Sequence, residues 1–138
     1  MVYDSIIIGK GPAGIQSALY MKRANLNVLV IGKDGGSLEK AEKIENFYGQ
    51  ENVVSGKELI DKGINQVKQI GVEVLTDEVV GIEFFDGDSE IQLFKVKTLK
   101  NEYICKTVLV ATGINRRAPL IDGVSTFEIG RASCRERV

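Results

Sequence analysis

The N-terminal part of the chain alternates short apolar runs with a stretch of helical periodicity. The isoleucines at positions 6–8 form a short, β-branched run that is typical of a buried strand. Apolar residues spaced by three and four positions then indicate a helix over residues 12–24, and Asn25 suits a left-handed stop after it. Residues 27–31 (N-V-L-V-I) again indicate a strand and are apolar from Val28 onward. We therefore predict a strand, a helix and a second strand that lies parallel to the first.

The middle of the chain predicts a second, amphipathic helix. Residues 38–44 have helical composition but no strong cap. Ser55 and Glu58 have the spacing of a capping box, and they open a helix that Gly71 ends. The positions predicted on its buried side are Leu59, Ile60, Ile64, Val67 and Ile70.

Strand patterns dominate the remainder of the chain. Residues 72–75 alternate and predict one strand. A small antiparallel meander is predicted from three further segments, residues 79–85, 91–96 and 102–105. Residues 107–111 are continuously apolar, which is typical of a parallel strand buried on both faces. The pattern as a whole indicates an α/β fold.

Three glycines, Gly9, Gly11 and Gly14, follow the first predicted strand with the spacing G-x-G-x-x-G. The first permits a sharp turn, the second lets a pyrophosphate approach the backbone, and the third lets the helix pack closely on the sheet. The N-terminus of the following helix favours a phosphate through free N–H groups and a partial positive charge. Because the motif lies between a strand and a helix, we predict a dinucleotide-binding turn.

The end of the second strand departs from the usual pattern for such a turn. An acidic residue about 20 residues after the turn ordinarily binds the ribose, but Gly32 occupies that place here. Asp34 either takes over this role from a slightly later position or is a solvated loop residue, and the sequence leaves both interpretations open. Lys10, inside the glycine motif, is expected to point outward.

The composition is that of an ordinary globular protein, with 43% apolar and 27% charged residues. A net charge of -1 gives no reason to expect a nucleic acid or an anionic membrane as a partner. No apolar run approaches the ~20 residues of a membrane span, and the N-terminus lacks a signal-peptide pattern. We therefore expect a cytoplasmic protein with neither nucleic-acid nor membrane partners.

Side chains that could carry catalysis are few. Histidine is absent, which removes the commonest general base and metal ligand, and we predict neither a catalytic residue nor a metal site in this chain. Cys105 and Cys134 form no C-x-x-C pair, and Cys105 is expected in the core. Any chemistry therefore requires a bound cofactor or residues outside this chain.

Four segments, taken in order, carry a family resemblance: residues 4–14 (D-S-I-I-I-G-K-G-P-A-G), 35–38 (G-G-S-L), 44–49 (I-E-N-F-Y-G) and 111–113 (A-T-G). Together they resemble the FAD-binding half of the pyridine nucleotide–disulfide oxidoreductases, and most of all the low-molecular-weight thioredoxin reductase group. The resemblance implies a Rossmann-like FAD/NAD(P)-binding domain, in which a parallel sheet with flanking helices carries a small antiparallel β-meander (three-layer ββα).

The resemblance also implies a set of cofactor-binding residues. For the FAD pyrophosphate it implies the first glycine turn, with Gly9, Gly11, Pro12, Ala13 and Gly14. For the ribityl–flavin region it implies the second glycine turn, with Gly35, Gly36, Ser37 and Leu38. The remaining implied contacts are Asn46 at the isoalloxazine, Val79 near the adenine, and Ala111, Thr112 and Gly113 at a strand end beside the cofactor.

A complete member of this group would transfer a hydride from NAD(P)H to FAD and on to a disulfide. The resemblance implies a thioredoxin-like or other small redox protein as partner, and a homodimer. This chain alone is expected to be inactive. Two alternatives stay open, a ferredoxin-NADP reductase-like flavoprotein without redox cysteines and a non-catalytic NAD-binding module. Arg116 and Arg117 are interpreted as part of a solvated loop after the last strand.

The C-terminal residues do not continue the family pattern. We expect an incomplete FAD-binding domain over residues 1–127 and a non-native tail over residues 128–138. The tail has no apolar period, and one back-translation of it resembles a common short-read sequencing adapter. Cys134 and the arginines of the tail are therefore not interpreted as functional. Independent genomic reads that encode R-A-S-C-R-E-R-V would contradict this expectation.

Overall fold

The computed structural model describes residues 1–86 and 91–114 of the chain. A short 3-10 helix, Gly36–Lys40, precedes the second α-helix. The predicted tail with Cys134, and the predicted loop at Arg116 and Arg117, lie outside the described residues. In chain order the elements are β1 (Val2–Ile8), α1 (Pro12–Arg23), β2 (Val28–Ile31), α2 (Gly56–Gln69), β3 (Glu73–Leu75), β4 (Val79–Phe85), β5 (Leu93–Thr98) and β6 (Glu102–Val110).

The described strands form one mixed sheet with the order β3-β2-β1-β6-β5-β4. β1 pairs in parallel with β2 on one side and with β6 on the other, so Ile7 lies opposite both Val30 and Leu109. β3 extends the parallel part beyond β2, whereas β5 and β4 pair antiparallel beyond β6. The predicted α/β fold, a parallel sheet with a small antiparallel meander, is confirmed.

Two apolar clusters cover the two faces of the parallel part of the sheet. The cluster shared with the meander contains Tyr3, Ile6, Ile8, Leu29, Ile31, Val96 and Cys105. The cluster shared with the helices contains Ile7, Ile15, Ala18, Val28, Val30, Val67 and Val72. Meander, sheet and helices therefore form the three predicted layers, and Cys105 lies in the core as predicted.

The last two predicted strands, at residues 102–105 and 107–111, are in fact one continuous strand, β6. Residues 102–105 pair antiparallel with β5, and residues 104–110 pair parallel with β1, so the two pairings overlap at Ile104 and Cys105. The polar residue Lys106 separates the two predicted strands in the sequence, but its Nζ donates to Asp4 Oδ1 of the neighbouring β1 at 2.6 Å. The prediction that residues 107–111 are buried on both faces is also wrong, since Val110 is 64% exposed.

The predicted ends of the helices are confirmed. Asn25 adopts the left-handed conformation after α1, with φ 62°, and Gly71 does the same after α2, with φ 83°. At the start of α2, Ser55 Oγ accepts from the Glu58 N–H at 3.2 Å, and Glu58 Oε2 accepts from the Ser55 N–H at 2.9 Å. This is the reciprocal capping box expected from the sequence.

Two helical predictions are wrong. Residues 38–44 form no α-helix beyond the 3-10 helix, because Ala41 is extended and its carbonyl accepts from the Gly56 N–H at 2.7 Å. Ile70 is 41% exposed rather than buried, because it lies past the last turn of α2. In the part of the chain that the structure describes, neither helix has the length and apolar content needed to cross a bilayer.

Candidate functional site

A groove of about 510 Å³ lies where β1, β2, β3 and β6 end at the same edge of the sheet. This is the edge at which α/β proteins bind ligands, because the strand-to-helix turns meet there. All of the cofactor residues predicted from the sequence line this groove except Gly14 and Asn46. Residues far apart in the chain, from Gly9 to Gly113, are thus brought together by the parallel order of the strands.

The first glycine turn is packed too tightly for side chains at two of its three positions. Gly9 has φ +117°, and a Cβ there would overlap the carbonyl of Ala111, directly after β6. A Cβ on Gly14 would overlap the carbonyl oxygen of Gly9, so α1 can begin directly against the turn. Gly14 therefore allows α1 to pack against the turn, but it does not itself line the groove.

The middle glycine of the turn, Gly11, is open toward the groove. The nearest atom to a Cβ placed there is the carbonyl oxygen of Gly35, at 3.7 Å. Gly11 is the N-cap of α1, and Pro12 follows at the first helical position. The first turn of the helix contains no acidic residue, so its free N–H groups and its dipole favour an anion at this point.

The second glycine turn forms the opposite wall of the groove. Gly35 donates its N–H to Glu39 Oε2 at 2.8 Å, and its Cα side lies against Ile60 of α2. Gly36 has φ +69° and donates its N–H to Asp34 Oδ1 at 2.9 Å. Asp34 thus stabilises the turn locally, which favours the interpretation of this exposed residue as a loop residue.

The connection between β3 and β4 adds two groove residues that the sequence analysis missed, Asp77 and Glu78. Asp77 is only 8% exposed, and a hydrogen bond with the side chain of Thr98 holds the pKa of its carboxyl below the usual range. Glu78 Oε1 pairs with Lys33 Nζ at 3.4 Å. A partial signal was available, because both residues follow the strand predicted at residues 72–75, whose parallel pairing with β2 brings its end to the ligand edge.

Lys10 does not point outward, contrary to the prediction. It lines the groove, and its Nζ donates to Thr76 Oγ1 after β3 at 2.9 Å. Its backbone and stem lie against Gly32 at the end of β2, where a Cβ would come within 2.7 Å of the Lys10 nitrogen. Glycine at position 32 is therefore what allows this path of the lysine.

Asn46 is exposed and lies outside the groove. Its neighbours Ile44 and Phe47 line a second, adjacent groove of about 400 Å³ between α1 and α2. Pro12 and Leu38 line both grooves, so the two are continuous with one another. A role for Asn46 at the isoalloxazine stays a prediction.

Comparison with known proteins decides the family. A family model described as pyridine nucleotide-disulphide oxidoreductase matches residues 3–137. The chain belongs to this oxidoreductase family. The resemblance carried by the four sequence segments is thereby confirmed.

Individual members of this oxidoreductase family are also similar to the chain. It is 36% identical over 133 residues to a thioredoxin reductase of Ureaplasma parvum and 39% identical over 114 residues to one of Bacillus subtilis. These matches cover 92% and 81% of the chain but only 40% and 34% of the two relatives. The chain thus spans well under half the length of the curated relatives it matches.

A solved thioredoxin reductase has the same fold. The crystal structure of the Lactococcus lactis enzyme matches with a TM-score of 0.76 and 36% identity, over 88% of this chain and 39% of that one. The Rossmann-like architecture inferred from the sequence is therefore shared with an oxidoreductase of this family.

Proposed function

We propose that this chain is the FAD-binding part of an NAD(P)H-dependent flavoprotein disulfide reductase of the thioredoxin reductase type. The observation that carries the proposal is the first glycine turn. Gly9 and Gly14 are held in contact with their neighbours, while Gly11 leaves its backbone open to the groove. A turn built in this way has room for a pyrophosphate against the start of α1.

The groove fits a dinucleotide beyond the phosphate position. Its length runs from the β3–β4 connection, with Val79, past the first glycine turn to the second and to the end of β6. Volumes between about 300 and 1,000 Å³ are usual for cofactor and ligand sites, and this groove is within that range. Gly36 and Gly113 leave open space around their Cα atoms, so ligand atoms can approach the backbone closely.

Different residues of the groove would bind different parts of FAD. The N–H group of Ala13 at the start of α1 would bind the pyrophosphate, because helix N-termini leave such donors without intrahelical partners. Val79 would contact the adenine, and the segments at Gly35–Leu38 and Ala111–Gly113 would flank the ribityl chain. The bound flavin would supply reversible two-electron chemistry, and this chain would supply its position and electrostatic surroundings.

The proposal extends to the whole protein of which such a domain forms part. That protein would oxidise NAD(P)H and reduce a disulfide of a thioredoxin-like or other small redox protein, as a cytoplasmic homodimer. The relatives support this extension because they are thioredoxin reductases at 36% and 39% identity. The chain contains no histidine, which agrees with a protein whose redox chemistry is carried out by the bound cofactor.

Retention of FAD by the purified 138-residue chain tests the proposal. The chain is incubated with FAD, passed through a desalting column and examined for visible flavin absorbance. FMN serves as the matched control ligand, because it lacks the adenosine half and one phosphate. We expect FAD, but not FMN, to be retained in proportion to the protein.

Three results would contradict the proposal, and the first is that the chain retains no FAD. Equal retention of FMN would show that the groove does not bind the adenosine half of FAD. Binding of NAD with no binding of FAD would favour the alternative of a non-catalytic NAD-binding module.

A further inference from the structure

The end of β2 carries no acidic side chain where a dinucleotide turn of this kind normally has one. Gly32 stands at that place, and the space beside it is filled by the stem of Lys10. A Cβ on Gly32 would lie 2.9 Å from Lys10 Cγ and 2.7 Å from the Lys10 nitrogen. An acid at position 32 and the present path of Lys10 therefore exclude each other.

Lys10 brings to this end of the groove a positive charge that has no ion-pair partner among the described residues. Its Nζ donates to the neutral hydroxyl of Thr76 at 2.9 Å. Within residues 1–86 and 91–114, no carboxylate lies within 4.0 Å of it. The other lysine of the groove, Lys33, is paired with Glu78 at 3.4 Å.

The remaining carboxylates of the groove are engaged by other groups. Asp34 accepts from the Gly36 N–H at 2.9 Å. Asp77 accepts from the Glu78 N–H at 2.8 Å and interacts with the side chain of Thr98. No described carboxylate pairs with Lys10. Its ammonium group is therefore free to interact, as a cation, with a ligand bound at this end of the groove.

A carboxylate and an ammonium group favour different substituents on the 2′ oxygen of a ribose. A carboxylate accepts hydrogen bonds from the ribose hydroxyls and repels a phosphate on the 2′ oxygen, whereas a basic side chain accommodates that phosphate. An ammonium has three donors and no acceptor, so it can donate to ribose oxygens and to phosphate oxygens alike.

We propose that Lys10 is a specificity-determining residue that contacts the ribose at the adenosine end of the groove. As a consequence, the groove binds adenine nucleotides with a 2′-phosphate more tightly than those without it. This inference rests on the proposed function, because it assumes that the groove holds an adenine dinucleotide along its length.

Competition against FAD tests the inference on the full chain. Displacement of FAD, followed by its fluorescence, is measured with ADP-ribose and with 2′-phospho-ADP-ribose as competitors. We expect 2′-phospho-ADP-ribose to bind about tenfold more tightly, the lower range for a hydrogen bond to a charged group. This preference should shrink between about 0.05 M and about 0.5 M salt, because salt screens exposed charges.

Variants of Lys10 separate its charge from its packing. Lys10→Met keeps the stem against Gly32 but removes the charge, and should abolish the preference for the 2′-phosphate. Lys10→Arg should keep the preference. Lys57→Met is the matched control, because Lys57 is exposed on α2 and does not line the groove. Circular dichroism confirms that each variant is folded.

The outcomes separate the inference from the proposed function. Bound FAD with equal competition by the two compounds, or a preference that persists in Lys10→Met, would overturn the inference and leave the proposed function intact. If Lys10→Met fails to fold, a preference that is insensitive to salt in the unaltered chain would overturn it instead. Failure of the chain to bind FAD at all would overturn the proposed function and the inference together.

Discussion

At the scale of single residues, the site depends on glycines that do different things. Gly9 and Gly14 are required by packing, since a Cβ on either would overlap a backbone carbonyl. Gly11 is not required by packing, since a Cβ there meets nothing closer than 3.7 Å, and we propose that bound pyrophosphate is what requires it. The spacing in the sequence is the same for all three, and only the structure separates the two roles.

Replacing Gly14 by alanine should therefore destabilise the fold itself. The new Cβ would force α1 away from the first glycine turn, and overpacking of this kind costs about 3 kcal/mol. The free energy of unfolding from urea titration measures the effect. Gly81→Ala is the control, because a Cβ at Gly81 meets no atom within 4 Å and should change stability by less than about 1 kcal/mol. Equal stability of the two variants would contradict this role of Gly14.

Single residues also differ in how far their roles could be predicted from the sequence. The capping residue Ser55 and the stop at Asn25 were predictable because their partners lie within a few positions along the chain. The path of Lys10 was not, because it depends on the absence of a side chain at Gly32 on a neighbouring strand. Asp77 and Glu78 could have been found from their place after β3.

At the scale of elements, α2 begins with a capping box that couples its stability to pH. Hydrogen bonds from the backbone and the hydroxyl of Ser55 hold the pKa of Glu58 below its usual range. A lowered pKa in the folded state means that this stabilisation is present above the ordinary glutamate value, about 4.3. It is lost as the pH falls through the lowered value.

Glu58→Gln should therefore flatten the acid side of the stability profile. Glutamine retains the capping hydrogen bonds but does not titrate, so the variant should lose less stability between about pH 5 and pH 3 than the unaltered chain. Thermal unfolding at a series of pH values measures this. Glu51→Gln is the control, since Glu51 is exposed and makes no described hydrogen bond. An unchanged slope for Glu58→Gln would contradict the pH coupling.

The meander presents an apolar edge. Among the described strands β4 pairs only with β5, and its residues Val80 and Phe84 are 60% and 73% exposed. An exposed strand edge of this kind can pair with other chains. Element boundaries in this region were predicted less well, because residues 102–110 take their partners from two strands, the preceding β5 and the distant β1.

Val80→Lys should slow aggregation of the chain. A lysine on an edge strand opposes pairing with a second copy through charge and solvation. Light scattering during incubation near the unfolding temperature measures the rate. Val53→Lys is matched in exposure, at 54%, but lies outside the strands, so it should have a smaller effect. If both variants slowed aggregation equally, the cause would be the change in net charge and not the position on the edge strand.

At the scale of the whole molecule, the parallel order β3-β2-β1-β6 is what assembles the groove. It brings the first glycine turn, the second glycine turn and the end of β6 to one edge, although they are separated by up to a hundred residues in sequence. The α/β class and this convergence follow from the apolar runs and the rule that parallel strands end at the same edge. The continuity of β6 across the sheet did not follow, since the polar Lys106 interrupts its apolar pattern.

The affinity of Gly11→Ala for FAD tests whether the open backbone at Gly11 receives the pyrophosphate. We expect the variant to unfold at the temperature of the unaltered chain, because its Cβ has room. We expect its FAD affinity to fall at least about tenfold, because the phosphate loses its close approach to charge-assisted donors. Gly81→Ala should leave both values unchanged. An unaltered FAD affinity in a folded Gly11→Ala chain would contradict the account.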